Sequence, residues 1–406
     1  MDFSLTSEQL MVQRTVRDFA QKEAAPLIKE LDRDQRADSG LIQRMGALGL
    51  LGICLPVRYG GQGLDYISLG LVCEELEYVD SSLRVVLSVH LGLNSLGLLQ
   101  WGSEDQKLRY LVPQATGEKL AAFALTEPGA GSDVAALAST ARPVAGGYQL
   151  QGEKTWISLA GLADHVLWFA RTSSETADPH QALTAFILET DRPGVQRGDL
   201  HGKLGIRAGS TGWLACDQVF VPTENRLGEE GEGFRIAMAC LDGGRYTVAA
   251  GSAGLIRACR EASVRYAQER RAFGKPLAEV QLVEQKIAGM AQAYEIARLL
   301  YLQAGWMKNQ GLRNTRETSM AKWYATEAAF ACASQAVQVH GAYGYSDEYD
   351  VERFLRNARG AMIYEGTSEI HTLIQAGYAL GARADAPLRH ELPAYDPLAW
   401  SEPRSD

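Results

Sequence analysis

The 406-residue sequence lacks the cysteine and histidine patterns that mark disulfide or metal frameworks. Its six cysteines are spread singly, with no CxxC pair and no small-domain disulfide spacing. Its seven histidines never fall within four residues of one another, and HExxH is absent. We therefore expect reduced thiols in an intracellular protein, and no metal site.

Basic charge is also scarce. The chain has 40 Lys+Arg against 49 Asp+Glu, a formal net charge of −9. Scattered basic residues in an acidic chain exclude the electrostatic footprint of a nucleic-acid or anionic-membrane binder. No apolar stretch approaches the roughly 20 residues of a membrane span, and the start MDFSLTSEQLMVQ resembles neither a signal nor a transit peptide. We expect a cytoplasmic protein that contacts neither nucleic acid nor membrane.

Proline is nearly absent from the second half of the chain. Between Thr223 and Ala386 only Pro276 occurs, which permits long uninterrupted helices. One apolar stripe recurs there at steps of three and four and predicts a helix face, namely Ile287, Met290, Tyr294, Ala297 and Tyr301. Near the other end, two capping boxes predict helix starts, Thr6 with Gln9 and Ser103 with Gln106.

The middle of the chain has a different texture, in which short apolar or alternating runs are separated by glycine and turn residues. Such runs predict β-strands. They begin at Tyr148, Thr155, His165, Leu183 and Gln218. We predict an α+β protein with a helical domain at 1–120, a β domain at 121–230 and a helical domain at 231–385. The remainder, 386–406, holds four of the 13 prolines and predicts an irregular tail.

Two segments could carry chemistry. In the first, TEPGAGSD at 126–133, two glycines expose backbone N–H groups and Thr126 and Ser132 add hydroxyls, so the loop can bind a carbonyl-rich or phosphate-bearing ligand. An ordinary Gly-Ser turn explains the same composition. Neither GxGxxG after a strand nor GxxxxGK[ST] is present, which excludes a Rossmann fingerprint and a P-loop.

The second segment is IYEGTSEIH at 363–371. Glu365 lies between an aromatic residue and a glycine, and Thr367 can cap a following helix. A poorly solvated carboxylate there would have a raised pKa and suit a general base. A solvated carboxylate at a helix start is the commoner case. These residues alone leave both interpretations open.

Five ordered motifs resemble acyl-CoA dehydrogenases, and the resemblance runs from about Leu5 to Ala379. The motifs are TEPGAGSD at 126–133, GEKTWI at 152–157, ERRAFGK at 269–275, QVHGAYG at 338–344 and YEGTS at 364–368. The resemblance implies an N-terminal α-helical domain, a middle β domain and a C-terminal four-helix bundle, with FAD and an acyl-CoA held between them. It also implies a homotetramer and an electron-transfer flavoprotein as electron acceptor.

The resemblance implies a reaction as well, in which an acyl-CoA becomes its trans-2-enoyl product. Glu365 would take the α-proton while the β-hydride passes to flavin N5. Its backbone N–H, with a ribityl hydroxyl of FAD, would hold the thioester carbonyl oxygen and stabilise enolate-like charge. Some relatives carry the base on the helix that here reads LDGGR at 241–245, but the corresponding position is Gly244. Glu365 is therefore the preferred base.

Binding residues follow from the same motifs. Those expected to line the flavin ring are Thr126, Ser132, Trp156 and Ser158, with Ser158 near N5. Those expected at the pyrophosphate and adenine, several from a neighbouring subunit, are Arg270, Gln338, Gly341, Ala342 and Thr367. Those expected near the CoA or thioester are Ser132, Asp242, Arg245 and Tyr364. The chain departs from the family at Ala342, where a second glycine is usual, and at Gly209, where many relatives have serine.

The acyl group is suggested by one segment. Residues 79–102 resemble, without a gap, the part of glutaryl-CoA dehydrogenases in which an arginine binds the substrate's distal carboxylate. Arg84 falls at that arginine, Ser88 at a nearby hydroxyl and Glu77 at a neighbouring carboxylate. An interface or surface arginine is the alternative.

Three functions are therefore in play. The first is dehydrogenation of short, medium or branched acyl-CoA. The second is a glutaryl-CoA-type or other polar-acyl dehydrogenase using Arg84, including one that acts on a carrier-protein thioester. The third is a non-catalytic flavoprotein or a flavin monooxygenase on the same fold, which retention of Glu365 disfavours.

Overall fold

The N-terminal block is helical in the computed structural model, which describes residues 4–172 and 178–404. Both predicted capping boxes are present, with Thr6 accepting from the Gln9 N–H and Ser103 from the Gln106 N–H. Wider helical turns at Ala20–Ala24, Ser88–Ser95 and Lys107–Leu111 join some of the helices. The helices are α1 Ser7–Phe19, α2 Ala25–Asp34, α3 Ser39–Ala47, α4 Tyr66–Val79, α5 Ser81–Leu87, α6 Leu96–Trp101, α7 Glu104–Gln106 and α8 Val112–Ala115.

One helical run in this block corrects the sequence analysis. Ser81–Trp101 is 21 residues long with a mean hydropathy of 1.4, which is long and apolar enough to cross a membrane. The expectation that no such stretch exists was therefore wrong. All of its most apolar window is buried inside the protein, so the run packs as a core helix.

The middle block is a sheet, as predicted, and all five predicted runs lie in its strands. The strand order is β6-β7-β3-β2-β4-β5-β8, with β1 added in parallel to β4. Most other pairs are antiparallel, and β3 pairs with β7 along nearly its whole length. The strands are β1 Ala121–Ala124, β2 Thr140–Val144, β3 Gly147–Ser158, β4 His165–Arg171, β5 Leu183–Glu189, β6 Val195–Asp199, β7 Thr211–Pro222 and β8 Arg226–Leu227.

Long helices form the third block, in agreement with the proline-poor sequence. The predicted stripe on α10 is real, since Met290, Tyr294, Ala297 and Tyr301 are buried. A small hairpin, β9 Arg271–Ala272 with β10 Lys275–Pro276, follows α9. The helices are α9 Gly233–Glu269, α10 Gln281–Asn309, α11 Thr315–His340, α12 Val351–Ala361 and α13 Ser368–Ala379.

Helix α9 lies at the centre of the helical packing. It contacts α4, the 81–101 run, α10, α11 and α12. The middle block joins this core through a loop, where the Ile206 N–H donates to Asn357 Oδ1 on α12 at 2.6 Å. The three blocks therefore meet around α9 and the segment between α12 and α13.

The tail is more ordered than predicted. Residues 382–396 contain no helix or strand, but Pro397–Ser401 forms one further helical turn, α14. The Trp400 side chain is buried, with its ring 5.5 Å from that of Tyr66 on α4 and 5.3 Å from that of Tyr395. Burial of this one indole fixes the end of an otherwise irregular segment.

Candidate active site

A tight turn between α12 and α13 carries Glu365. Glu365 has φ of 55° and Gly366 has φ of 97°, so two consecutive residues adopt left-handed conformations. A non-glycine residue in this region costs on the order of 1 kcal/mol and is held there by its surroundings. Thr367 then caps α13, since its hydroxyl accepts the Ile370 N–H. The turn directs the Glu365 carboxylate toward α9.

The carboxylate of Glu365 is poorly solvated. The residue as a whole is half-buried, but Oε2 is inaccessible to water and has no hydrogen-bond partner among the described residues. Burial raises the pKa of Glu365 to about 7, although Arg84, Lys322 and Arg245 act in the opposite direction. The solvated helix-start interpretation is therefore wrong, and the poorly solvated one agrees with the structure.

Gly244 makes room for that carboxylate. A Cβ atom at this position would lie 2.1 Å from Glu365 Oε2 and 2.6 Å from Leu93 Cδ2. Any larger residue at 244 would displace the Glu365 carboxylate. Gly244, the position at which some relatives carry the base, is thus a steric requirement for the Glu365 carboxylate in this position.

Basic side chains hold the backbone of the turn. Arg245 Nε donates to the Glu365 carbonyl at 3.0 Å, and Lys322 Nζ donates to the Gly366 carbonyl at 2.7 Å. Burial lowers the pKa of Lys322 to about 7, while the nearby Glu365 carboxylate raises it. Two cations therefore fix both carbonyls of the turn and leave the carboxylate itself unbonded.

His371 on α13 packs beneath the same turn. Its Nδ1 lies 2.9 Å from Ser319 Oγ, while Nε2 is buried next to the backbone of the turn, 3.1 Å from where a Cβ on Gly366 would be. Burial, with Lys322 and Arg245, lowers the pKa of His371 to about 2. The imidazole is therefore neutral. Sequence reasoning missed Lys322 and His371, because lone basic residues on helices resemble solvated surface charges.

Arg84 is entirely buried. Its Nε donates to Glu77 Oε2 at 2.5 Å, its Nη1 to Ser88 Oγ at 3.2 Å and its Nη2 to the Tyr364 hydroxyl at 2.5 Å. Although burial lowers the pKa of Arg84, Glu77 and Tyr364 raise it above the ordinary value. The surface-arginine alternative is wrong. The structure joins Arg84, Glu77 and Ser88 to Tyr364, the neighbour of Glu365.

The loop with Gly209 approaches this cluster. A Cβ on Gly209 would lie 3.3 Å from the Cβ of Ser82 on α5, two residues before Arg84. The middle block therefore contacts α5 at Gly209, where many relatives have serine. A serine side chain at this position would have to fit next to Ser82.

Thr126 and Trp156 are brought together by a buried ion pair. Lys154 Nζ on β3 lies 2.7 Å from Glu127 Oε1 and donates to the Leu125 carbonyl at 3.1 Å. The Thr155 N–H also donates to the Thr126 carbonyl at 3.0 Å. The two motifs of the sequence analysis thus form one rigid unit. The ion pair was missed because neither charge is distinguishable from a surface charge in the sequence.

Exposed groups on this unit fit a flavin. Trp156 has φ of 59° at an irregularity in the β3–β7 register, and its indole is 62% exposed. Ser132 is exposed, Ser158 is half-buried, and open space surrounds Gly129 and Gly131. An uncovered aromatic plane beside hydroxyls and accessible loop N–H groups suits a planar ring with carbonyl acceptors.

The residues predicted to bind the pyrophosphate and adenine of FAD, except Thr367, lie away from Glu365. Arg270 lies over the ring of Tyr343 at 5.8 Å, which places it beside Gly341 and Ala342. Gln338, Gly341 and Ala342 are exposed, and Gln338 lies 16 residues beyond Lys322 on α11, about 24 Å along the helix. This chain does not bring them together with Glu365, whereas Thr367 is adjacent to it.

Asp242 and Arg245 belong to the Glu365 side. Arg245 Nη1 donates to Asp242 Oδ1 at 3.2 Å, and the Thr315 hydroxyl donates to Asp242 Oδ2 at 2.6 Å. Asp242 also lines a cavity between α6, α9 and the α10–α11 loop. Among the described residues no group of three or more His, Cys, Asp or Glu side chains could hold a metal.

A carboxylate with a buried, unpartnered oxygen and a flavin-fitting loop, on a helical–sheet–helical plan, are features of a class of flavin-dependent dehydrogenases. Family models agree with this assignment along most of the chain. The acyl-CoA dehydrogenase N-terminal, middle and C-terminal domains match residues 6–118, 122–219 and 231–379. The chain belongs to the acyl-CoA dehydrogenase family and is an oxidoreductase that uses FAD.

Individual relatives are similar over nearly their whole length. An acyl-CoA dehydrogenase of Bacillus subtilis (strain 168) is 42% identical over 93% of this chain and 99% of its own. The structure of butyryl-CoA dehydrogenase from Megasphaera elsdenii is 39% identical, with a TM-score of 0.91 over 94% of this chain and 100% of that one. That of a glutaryl-CoA dehydrogenase in complex with glutaryl-CoA is 40% identical, with a TM-score of 0.91 over 94% and 98%.

Proposed function

We propose that the protein oxidises an acyl-CoA to the trans-2-enoyl-CoA with Glu365 as the α-proton base. The observation that supports this is the Glu365 carboxylate, buried and unbonded, with a pKa of about 7. Such a group is partly ionised at neutral pH and has no internal partner to compete for the substrate proton. Bound FAD supplies the acceptor for the β-hydride.

The chain's own residues prepare the base. Arg245 and Lys322 bind the carbonyls of Glu365 and Gly366, so the peptide groups of the turn cannot rotate freely. These bonds fix the two peptide groups that follow Glu365. The Glu365 N–H, the donor that we propose for the thioester carbonyl, belongs to the preceding peptide group, and φ of 55° at Glu365 sets its direction relative to the fixed segment. A donor fixed before the reaction stabilises enolate-like charge without reorganisation.

The test is reduction of the enzyme's flavin under anaerobic conditions. Glu365→Gln should retain FAD but fail to bleach it when butyryl-CoA is added, because the amide cannot accept the α-proton. Glu369→Gln, an exposed position four residues further on, is the matched control and should bleach as the parent does. Full bleaching by Glu365→Gln would contradict the assignment. A parent protein that no acyl-CoA bleaches would favour the non-catalytic or monooxygenase alternative.

We propose short, medium or branched acyl groups as substrates. Similarity to butyryl-CoA dehydrogenase supports a short chain. The Arg84 cluster supports the same choice, because Glu77 already neutralises the guanidinium and Ser88 and Tyr364 occupy further donors. With a second contact from Nη2 to Glu77 Oε1 at 3.4 Å, four of the five guanidinium N–H groups are used, so a substrate carboxylate would compete with Glu77 for the same cation.

Glutaryl-CoA-type or other polar acyl groups are the second candidate, supported by the buried Arg84 next to Tyr364. If Arg84 binds a distal carboxylate, Arg84→Ala should lose glutaryl-CoA turnover far more than butyryl-CoA turnover. The double variant Glu77→Gln, Arg84→Gln removes both charges together and avoids an unpaired buried carboxylate. Equal losses on the two substrates, or no glutaryl-CoA turnover by the parent, would contradict this candidate.

We further propose a cytoplasmic homotetramer that passes electrons to an electron-transfer flavoprotein. The separation of Arg270, Gln338 and Gly341 from Glu365 supports FAD sites completed by a second copy. Exposed apolar side chains on α10 support an interface, namely Leu282, Ile296, Leu299 and Trp306. Light scattering of the holoenzyme tests the assembly, and a monomer that retains FAD would contradict it.

A further inference from the structure

The C-terminal tail lies outside the part of the chain that the family models match. The C-terminal family model ends at residue 379, and the Bacillus subtilis relative is covered almost completely by 93% of this chain. The tail nevertheless packs closely on the enzyme. Tyr66 on α4 donates its hydroxyl to the Pro393 carbonyl at 2.8 Å, and Gln100 at the end of the 81–101 run donates to the His390 carbonyl at 2.7 Å.

Part of the tail forms a wall of the Asp242 cavity. Glu391 and Leu392 line it together with Gly92, Asp242 and Lys308. The cavity is close to the proposed base, because Gly243 lines it and the next residue, Gly244, contacts the Glu365 carboxylate. A thioester whose acyl group reaches Glu365 through this cavity would have its carrier arm against the tail.

Arg313, on the α10–α11 loop, is surrounded by carboxylates in this wall. Its guanidinium lies 3.8 Å from Asp242, and the tail adds Asp385 at 3.9 Å and Glu391 at 3.5 Å. Glu391 is oriented for this contact, since its Oε1 accepts the Leu388 N–H at 2.9 Å while Oε2 faces Arg313. Two of the three carboxylates therefore come from the tail.

We propose that Asp385 and Glu391 neutralise Arg313 in the cavity wall, so that the tail selects the uncharged pantetheine part of the carrier arm over a charged nucleotide end. This rests on the proposed function, since it takes the cavity as the path of an acyl thioester. A nucleotide that carries several phosphates would gain from a free arginine and is repelled by the added carboxylates. The affinity for an uncharged pantetheine arm does not depend on these carboxylates.

Binding of two non-reactive thioethers to the FAD-loaded protein tests the proposal without catalysis. Calorimetry at low salt would compare S-butyl-CoA with S-butylpantetheine, which lacks the phosphates. Glu391→Gln keeps an oxygen for the Leu388 N–H but frees Arg313. We expect it to tighten S-butyl-CoA binding about twofold to fivefold, an effect that 0.5 M salt suppresses, with S-butylpantetheine unchanged.

Glu402→Gln, an exposed change of the same charge in the same tail, is the matched control and should alter neither affinity. The proposal is overturned if both thioethers respond equally, if Glu391→Gln behaves as Glu402→Gln does, or if neither thioether binds the parent protein. Flavin bleaching by butyryl-CoA separately tests the proposed function. If butyryl-CoA does not bleach the flavin but Glu391→Gln still tightens binding of S-butyl-CoA alone, the proposed function is wrong and the proposed role of the tail stands.

Discussion

Glu365 holds an ionisable group where water cannot reach its Oε2 atom. Its pKa of about 7 in the folded protein exceeds the ordinary 4.5, so the folded state keeps a proton that the unfolded chain releases. The contribution of Glu365 to the free energy of unfolding is therefore largest below about pH 4.5. It declines as pH rises to about 7, by roughly 3 kcal/mol in all. The proposed base is therefore ionised only where its ionisation costs stability.

This linkage predicts opposite pH trends for rate and stability. We expect the rate of flavin reduction to fall about tenfold per pH unit below pH 7, because protonated Glu365 cannot accept a proton. Between pH 5.5 and 8 the denaturant midpoint of the parent should fall relative to that of Glu365→Gln, which has no charge to bury. Parallel midpoints for the two proteins across this range would contradict the burial of the charge.

Lys322 acts on the base through the turn and through its charge, and two variants separate these roles. Lys322→Gln can retain a donor to the Gly366 carbonyl, whereas Lys322→Met cannot. Loss of the nearby positive charge should move the acid limb of the rate profile upward by about 0.5 to 1 pH unit in both variants. Only Lys322→Met should also lower the plateau rate. An unmoved acid limb would show that the lysine is structural alone.

At the scale of elements, the strand β3 and the loop at 126–133 behave as one unit because Lys154 and Glu127 pair below the surface. Truncating one partner of a buried pair leaves the other charge uncompensated, at a cost of about 3–5 kcal/mol. The half-buried Thr126 and the exposed Trp156 depend on this pair for their relative position.

We therefore expect Lys154→Met to weaken FAD retention by tenfold or more, measured as flavin release on dilution. Lys119→Met is the matched control, because the Lys119–Asp164 pair is largely exposed and contributes little. The double variant Glu127→Gln, Lys154→Met should recover part of the loss, since no charge is then buried alone. Equal flavin release from Lys154→Met and Lys119→Met would contradict the argument.

Elements also show what the sequence could predict. Capping boxes, the α10 stripe and the strand runs depend on neighbouring residues, so local patterns predicted them correctly. Contacts such as Lys322 with Gly366 or Arg84 with Tyr364 join residues 44 and 280 positions apart. Motif resemblance identified Glu365 and Gly244 as candidate positions, but only the folded chain reveals that the carboxylate of one fills the space left by the other.

At the scale of the whole molecule, the tail contacts two helical segments, α4 and the 81–101 run, and also the α10–α11 loop. Its main apolar anchor is Trp400, in contact with Tyr66 and Tyr395. Composition suggested an irregular segment, because its prolines exclude long helices. A single tryptophan in a sequence does not predict that a segment is anchored, whereas its burial in the folded chain shows that the tail is.

Trp400→Ala should lower the free energy of unfolding by about 3–5 kcal/mol, because it leaves a cavity between the tail and α4. Leu398→Ala is the control on the same helical turn, since that side chain is 78% exposed, and it should change stability by about 0.5 kcal/mol or less. Chemical denaturation of the FAD-loaded protein measures both. A Trp400→Ala protein as stable as Leu398→Ala would show that the tail is not anchored there.

The apolar run Ser81–Trp101 has a consequence for synthesis of the chain. Its partner helix α9 begins at Gly233, about 130 residues later. Helix α4 and strand β1 also contact the run, but at ribosomal speeds of roughly 5–20 residues per second α9 follows it by roughly 7–26 s. During that interval the nascent chain exposes a segment that is hydrophobic enough to cross a membrane. This buried run is therefore a segment for which a chaperone or a membrane-targeting factor would compete until α9 has been made.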